Sequence, residues 1–173
     1  ILRNRPPKSA EAYKTVWTDK GSPLIVITEQ IKDKLQKLVD VPVEIGMRYA
    51  EPCIETGIRK LQEQGVTNIV LLPLYPQYAM STTETVIEKA EAVRKKHFPN
   101  IKINYVQPFY NRDNYIDCLA KSIQEKLPEN FDAIMFSYHG VPERHLYKTD
   151  PSKTCKIDDS NCINSQNPEH NAY

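Results

Sequence analysis

Short apolar segments alternate with helical patterns along most of this chain, and this alternation constrains its fold more than any other feature. Residues 68–75 form an almost continuously apolar run, which is typical of a strand covered on both faces. Strands are also predicted at 43–49, 101–106 and 131–137, with amphipathic helical patterns between them. The order predicts an α/β fold, a parallel sheet with helices on both faces.

Three serines are predicted to begin helices. Ser9 precedes an apolar stripe with helical spacing, and Ser22 is followed by Pro23, a residue favoured at the first helical position. Ser81 and Glu84 have the spacing of a capping box, in which each side chain bonds the other residue's backbone N–H. We therefore expect helices to start directly after these serines.

The composition argues against several classes of partner. Lys and Arg total 23 against 22 Asp and Glu, so we expect no nucleic-acid partner. The five glycines lack the spacing of nucleotide-binding fingerprints, and no apolar run is long enough to span a membrane. The same balance does not favour an anionic membrane as the main partner. Peripheral membrane contact is an alternative that the sequence leaves open, and the sequence does not specify an oligomeric state. Sparse cysteine use predicts a reducing, cytoplasmic location.

Three stretches that follow predicted strands are the expected ligand-binding region, because open parallel sheets bind ligands beyond the carboxyl ends of their strands. These stretches are 47–52, 74–79 and 137–142, and together they hold one Arg, four Tyr, one Gln and one His. An aromatic cleft with few fixed charges suits a large, flat, mostly apolar ligand better than a nucleotide.

Two histidines follow the last predicted strand. His139 can act as a base or a metal ligand, because imidazole titrates near neutral pH. The alternative is a buried histidine bonded to a backbone carbonyl. His145 is expected in the following loop, where it can also be a surface residue.

The other candidate side chains also have two interpretations each. The planar guanidinium of Arg48 can bind a ligand carboxylate, or it can pair with Glu51 and fix the loop. Tyr75 and Tyr78 can line the cleft, or they can pack with their hydroxyls at its rim.

The four cysteines fall into two groups. Cys53 and Cys118 lie in apolar segments and are predicted to be buried thiols. Cys155 and Cys162 lie in a polar stretch that begins near Leu146. They are either half of a four-cysteine iron–sulfur or zinc site completed elsewhere, or surface thiols without function.

Four motifs resemble those of the ferrochelatase family, and they occur in the family's order. They are Gly-Ser-Pro-Leu at 21–24, Gly-Met-Arg-Tyr at 46–49, Leu-Pro-Leu-Tyr-Pro-Gln-Tyr at 72–78 running into Ser-Thr-Thr at 81–83, and Phe-Ser-Tyr-His-Gly-Val-Pro-Glu-Arg at 136–144. The resemblance implies that residues 1–145 form most of the first of two similar Rossmann-like domains, without its opening strand. Residues 146–173 would then be a polar insertion or the crossing to the second domain.

The resemblance also implies a reaction, the insertion of ferrous iron into protoporphyrin IX to form protohaem in the last step of haem biosynthesis. His139 matches the family's invariant histidine, with a role as pyrrole-proton acceptor or as Fe²⁺ ligand. Some members carry a [2Fe-2S] cluster, for which Cys155 and Cys162 would supply ligands. The implied substrate-binding residues are Arg48, Tyr49, Tyr75, Pro76, Gln77, Tyr78 and Ser81.

Other functions are compatible with the same residues. The chain can belong to a chelatase for coproporphyrin or another tetrapyrrole, or to a haem-binding module without catalytic activity. A flavodoxin-like FMN domain is disfavoured because no phosphate-binding loop follows a strand. If the chain is half of a cleft enzyme, we expect these 173 residues alone to be inactive.

Overall fold

The computed structural model describes residues 5–149. Within this span the backbone forms six α-helices, two β-strands and one π-helical segment. The elements in chain order are α1 (Arg5–Lys14), α2 (Pro23–Gln36), α3 (Ile54–Glu63), β1 (Asn68–Leu71), the π-helical segment Met80–Glu84, α4 (Thr85–His97), β2 (Lys102–Tyr105), α5 (Asp113–Gln124) and α6 (Glu143–Thr149). None of the helices between residues 5 and 149 has the length and apolar character that crossing a membrane requires.

Strands β1 and β2 pair in parallel. The N–H of Lys102 donates to the carbonyl oxygen of Thr67 at 2.9 Å, and the N–H of Val106 donates to that of Leu71 at 3.0 Å. The separation along the chain is the same at both bonds, which is the register of a parallel pair. Parallel neighbours need a crossover, and α4 supplies it. The prediction of an α/β fold is confirmed at this level.

The described residues divide into two compact units. The first comprises residues 5–68 with 92–102, and the second comprises 69–91 with 103–149. Apolar side chains that are almost fully buried occur in both units. In the first unit they are Ile54, Ile58, Leu61, Val93, Phe98 and Ile101, and in the second they are Ile69, Ala79, Val86 and Ala90.

Two predicted strands are absent from residues 5–149. The predicted strand at 43–49 is wrong, because its backbone bonds locally instead of to a neighbouring strand. Val43 donates its N–H to the side chain of Gln36 at 2.8 Å, and Met47 donates to the carbonyl of Pro52 at 2.7 Å. Met47 and Cys53 make a single parallel bridge there, with no ladder beyond it.

The predicted strand at 131–137 is also wrong for the described chain. Every residue from 131 to 140 is exposed, including Met135 at 90% and Phe136 at 61%. A strand exists only where a neighbour satisfies its N–H and C=O groups, and no such ladder forms here within residues 5–149. The apolar run indicated burial, but a run alone cannot supply the partner.

Helix starts follow the prediction in one case. Helix α2 begins at Pro23 after Ser22, as expected, although the Ser22 side chain makes no capping hydrogen bond. Helix α1 begins at Arg5, so Ser9 lies inside it and the predicted cap is wrong. Pro6 and Pro7 fall in its first turn, where a missing N–H has little cost and the fixed φ favours the helix.

Candidate functional site

The turn at 75–78 is attached to the chain that follows β2. The carbonyl oxygen of Pro76 accepts hydrogen bonds from the N–H groups of Phe109 and Tyr110, at 2.9 and 3.1 Å. Pro73 is buried just before the turn, whereas Tyr75 keeps 42% of its surface exposed. The backbone of this turn is therefore fixed while an aromatic ring remains accessible.

The residues after the turn form a π-helical segment instead of the predicted capping box. The N–H of Glu84 donates to the carbonyl of Ala79, five residues earlier, at 3.3 Å. Thr83 donates its hydroxyl to the carbonyl of Gln77, also at 3.3 Å, and Ser81 is exposed. Capping by Ser81 is therefore wrong. π-Helical turns are rare overall, and many of those that occur lie at functional sites.

Glu84 binds two partners that the sequence pattern did not indicate. The Tyr78 hydroxyl donates to its Oε2 at 2.7 Å, and the Lys148 Nζ lies 2.5 Å from its Oε1. The hydrogen bond from Lys148 and then that from Tyr78 lower the pKa of Glu84, against a smaller opposing effect of burial. Sixty-four residues separate Glu84 from Lys148, so no local spacing can reveal the pair.

His145 is a buried residue of α6, not a surface residue of a loop. It is 7% exposed, and its N–H donates to the carbonyl of Pro142 at 2.8 Å. Its Nδ1 is buried and has no hydrogen-bond partner among residues 5–149.

His139 lies in the exposed segment ahead of α6. Its Nδ1 is 2.6 Å from the carbonyl oxygen of the adjacent Gly140. One interpretation of His139 is a buried histidine bonded to a backbone carbonyl. The contact with a carbonyl is present, but His139 is exposed. Its predicted proximity to Tyr75 and Tyr78 stays a prediction.

Arg48 and Tyr49 contact each other in the first unit. The guanidinium carbon of Arg48 lies 4.7 Å from the centre of the Tyr49 ring, and Tyr49 is 74% exposed. The Nε of Arg48 is buried without a hydrogen-bond partner in the described residues. A planar donor group is thus held against an exposed aromatic ring.

Glu51 fixes the start of α3 instead of pairing with Arg48. Its Oε2 accepts the Cys53 N–H at 2.8 Å and the Thr56 hydroxyl at 2.9 Å. These bonds lower the pKa of Glu51, with the Cys53 N–H as the largest cause. Pairing of Arg48 with Glu51 is therefore wrong, and binding of a ligand carboxylate by Arg48 stays a prediction.

The cysteines give a mixed outcome. Cys53 is half-buried and Cys118 is exposed, so the predicted burial of Cys118 is wrong. Cys155 and Cys162 lie outside the described residues. Between residues 5 and 149, no group of three or more His, Cys, Asp and Glu side chains is arranged to hold a metal ion. A cluster with ligands from Cys155 and Cys162 stays a prediction.

Comparison with known proteins tests the predicted resemblance. The family model described as Ferrochelatase matches residues 1–163. The chain belongs to the ferrochelatase family. It is 44% identical over 153 residues to the ferrochelatase of Stutzerimonas stutzeri strain A1501, covering 88% of this chain and 45% of that protein.

Other ferrochelatases match over still more of the chain. That of Ectopseudomonas mendocina strain ymp is 43% identical over 163 residues, covering 94% of this chain and 48% of its own length. The ferrochelatase of Pseudomonas fluorescens strain SBW25 is 39% identical over 170 residues, covering 98% of this chain and 50% of its own length. The chain therefore spans about half the length of the curated relatives it matches.

Proposed function

We propose that the protein to which this chain belongs inserts ferrous iron into protoporphyrin IX and forms protohaem, the last step of haem biosynthesis. The observation that carries the proposal is the ferrochelatase match over residues 1–163, which includes all four motif segments. In class it is a lyase that forms nitrogen–metal bonds, with iron as a substrate. We further propose a cytoplasmic location.

The reaction sets a clear demand on the protein. A free-base porphyrin is flat, points its nitrogen lone pairs into the ring and carries two N–H protons. Iron enters only after the ring bends and those protons leave. A rigid binding surface that fits the bent ring better than the flat one stabilises the transition state relative to the substrate.

Tyr75 to Tyr78 are proposed to hold the macrocycle. The bonds from Phe109 and Tyr110 to Pro76 support this role, because they fix the backbone while the Tyr75 ring stays partly exposed. Gln77 and Ser81 are assigned to the same substrate-binding set from the family motif. A fixed turn can impose a shape on a ligand, whereas a mobile turn would adapt to the flat ring.

Arg48 and Tyr49 are proposed to contact the macrocycle or one of its propionates. The support is the unpartnered Nε of Arg48, a buried donor that a carboxylate oxygen would satisfy. Tyr49 offers an exposed ring against which flat apolar surface can pack.

His139 is proposed to accept a pyrrole proton or to hold the incoming iron. Only one ring nitrogen of a neutral imidazole carries a proton. With that proton on Nδ1, the ring donates to the Gly140 carbonyl at 2.6 Å, and the lone pair of Nε2 remains available. The adjacent carbonyl thus favours the tautomer that either role needs.

The domain organisation is part of the proposal. Residues 1–145 would form most of one Rossmann-like domain, and residues 146–173 would be an insertion or lead into a second domain. Cys155 and Cys162 would supply two of the four ligands of a [2Fe-2S] cluster, and no step of the reaction is assigned to it.

The test is His139→Ala in the full-length protein, with metal insertion followed by porphyrin absorbance. We expect the variant to lose most of its turnover. His97→Ala is the matched control, because that exposed histidine lies at the end of α4 near Glu55. Near-normal turnover of His139→Ala would remove His139 from the mechanism.

The same assay separates the alternatives. Faster insertion into coproporphyrin than into protoporphyrin IX would change the substrate but keep the reaction. Haem binding that survives His139→Ala, without insertion by the intact protein, would favour a binding module. Activity of the isolated 173 residues would overturn the proposed domain organisation.

A further inference from the structure

We propose that Glu84 is a positioning residue of the chelatase site, because one carboxylate both holds the Tyr78 hydroxyl and ties α6 to the substrate-binding turn through Lys148. This inference rests on the proposed function. It adds a residue outside the substrate-binding set and assigns it a role through Tyr78 and α6, without contact to the porphyrin.

The first support is that the two carboxylate oxygens are used separately. Oε2 accepts from Tyr78 at 2.7 Å, and Oε1 faces the Lys148 ammonium at 2.5 Å. The Glu84 side chain is 19% exposed, while that of Lys148 is 52% exposed. The phenol is therefore anchored by a partly buried carboxylate whose negative charge is compensated from its other side.

The second support is the backbone of the π-helical segment. Its N–H at Glu84 bonds to the carbonyl of Ala79, and the Thr83 hydroxyl bonds to the carbonyl of Gln77. The Tyr78 hydroxyl in turn donates to the Glu84 side chain, so backbone and side-chain bonds both connect residues 77–79 to residues 83 and 84. Removing the Glu84 carboxylate would therefore remove one of the contacts that hold the Tyr78 hydroxyl.

The third support is the place of α6 in the chain. The helix begins at Glu143, four residues after His139. His145 of this helix is buried, and Lys148 in its last turn pairs with Glu84. His139 is exposed, and its ring contacts the adjacent Gly140. The anchored helix begins four residues later, so it limits how far the segment that carries His139 can move. One carboxylate thus restrains both the Tyr78 turn and the segment that carries the proposed base.

The experiment measures kcat and porphyrin KM in the full-length protein for Glu84→Ala, Glu84→Gln, Tyr78→Phe and the double variant of Glu84→Ala with Tyr78→Phe. Loss of one charge-assisted hydrogen bond in a partly exposed setting predicts a porphyrin KM raised roughly threefold to tenfold in Glu84→Ala. Glu84→Gln should lie between it and the wild type, since an amide oxygen still accepts from Tyr78. The double variant should be no worse than the worse single one, because both changes break the same bond.

Lys148 provides the second arm. Lys148→Met should lower kcat more than it raises KM, because it frees α6 but leaves the bond from Tyr78 intact. Lys148→Arg should keep both kcat and KM at their wild-type values. Glu55→Gln is the matched control. It removes a similarly short ion pair, 2.6 Å to Arg59, in the other compact unit, and it should leave kcat and KM unchanged.

The outcomes separate this inference from the proposed function. If the wild type inserts iron and Glu84→Ala keeps its porphyrin KM, or if the effects of Glu84→Ala and Tyr78→Phe add fully, the positioning role is overturned and the function stands. If the wild type inserts no metal, the porphyrin Kd from fluorescence quenching replaces KM in the same comparison. A wild type that neither inserts metal nor binds porphyrin overturns both. If Glu84→Ala fails to fold, Glu84→Gln and the Lys148 pair decide.

Discussion

The hydroxyl of Tyr78 donates a 2.7 Å hydrogen bond to Oε2 of Glu84, six residues along the chain. The bond joins the last tyrosine of the turn at 75–78 to the last residue of the π-helical segment. Together with Lys148 on the other oxygen, it makes Glu84 an ionised group that contributes to folding. That contribution must depend on pH.

Glu84→Gln should therefore destabilise the protein only above the acid range. Folding lowers the pKa of Glu84 from its ordinary value of 4.5, so its stabilising contribution is complete above that pH and is lost as the pH falls through the folded value. Urea unfolding at pH 7 should show a lower midpoint for the variant than for the wild type, and the gap should close between pH 4.5 and the onset of acid unfolding. A gap that stays constant down to the lowest accessible pH would contradict the assigned ionisation.

Part of this arrangement was predictable and part was not. Ser22 and Pro23 marked the start of α2 correctly, because the preference of proline for the first helical position is local and does not depend on a capping bond from Ser22. Ser81 and Glu84 had capping-box spacing, but Glu84 binds Tyr78 and Lys148 instead. A motif shows which bonds a side chain is able to make, and tertiary contacts decide which bond forms.

The strands show the same distinction. The apolar runs at 68–75 and 101–106 contain β1 and β2, because each run finds the other as its partner. The runs at 43–49 and 131–137 have similar patterns but no neighbouring ladder within residues 5–149. Hydrophobic pattern reports a tendency to be buried, whereas a strand also needs a second backbone that lies elsewhere in the sequence.

Gly57→Ala should weaken the packing of α3. A Cβ at Gly57 would lie 2.7 Å from the carbonyl oxygen of Ile45, and this neighbour is backbone, which cannot rotate away. We expect a loss of about 1–3 kcal/mol in the free energy of unfolding, despite the better helix propensity of alanine. Gly140→Ala, where a Cβ meets open space, is the control. Equal unfolding midpoints for the two variants would show that α3 does not approach Ile45 so closely.

Phe98→Ala should be among the most destabilising truncations of the first unit. The Phe98 side chain is 1% exposed, and the guanidinium of Arg59 lies 5.4 Å from the centre of its ring. Removing a buried phenyl ring costs about 3–5 kcal/mol through lost burial and the cavity left behind. Leu38→Ala, at a position 81% exposed, should change the unfolding free energy by less than about 0.5 kcal/mol. Chemical denaturation of both variants checks the contrast, and similar losses would place Phe98 outside the core.

Arg48→Met should discriminate between porphyrins by their charge. The buried Nε of Arg48 lacks a partner in the described chain, and the proposed occupant is a propionate oxygen. The variant should raise the KM for protoporphyrin IX roughly tenfold, as expected for losing a charge-assisted contact, yet leave the KM for its dimethyl ester almost unchanged. Arg59→Met is the control, since its guanidinium already pairs with Glu55 and lies over Phe98. If Arg48→Met weakens the acid and the ester equally, Arg48 contacts the macrocycle or supports Tyr49, and the propionate assignment is wrong.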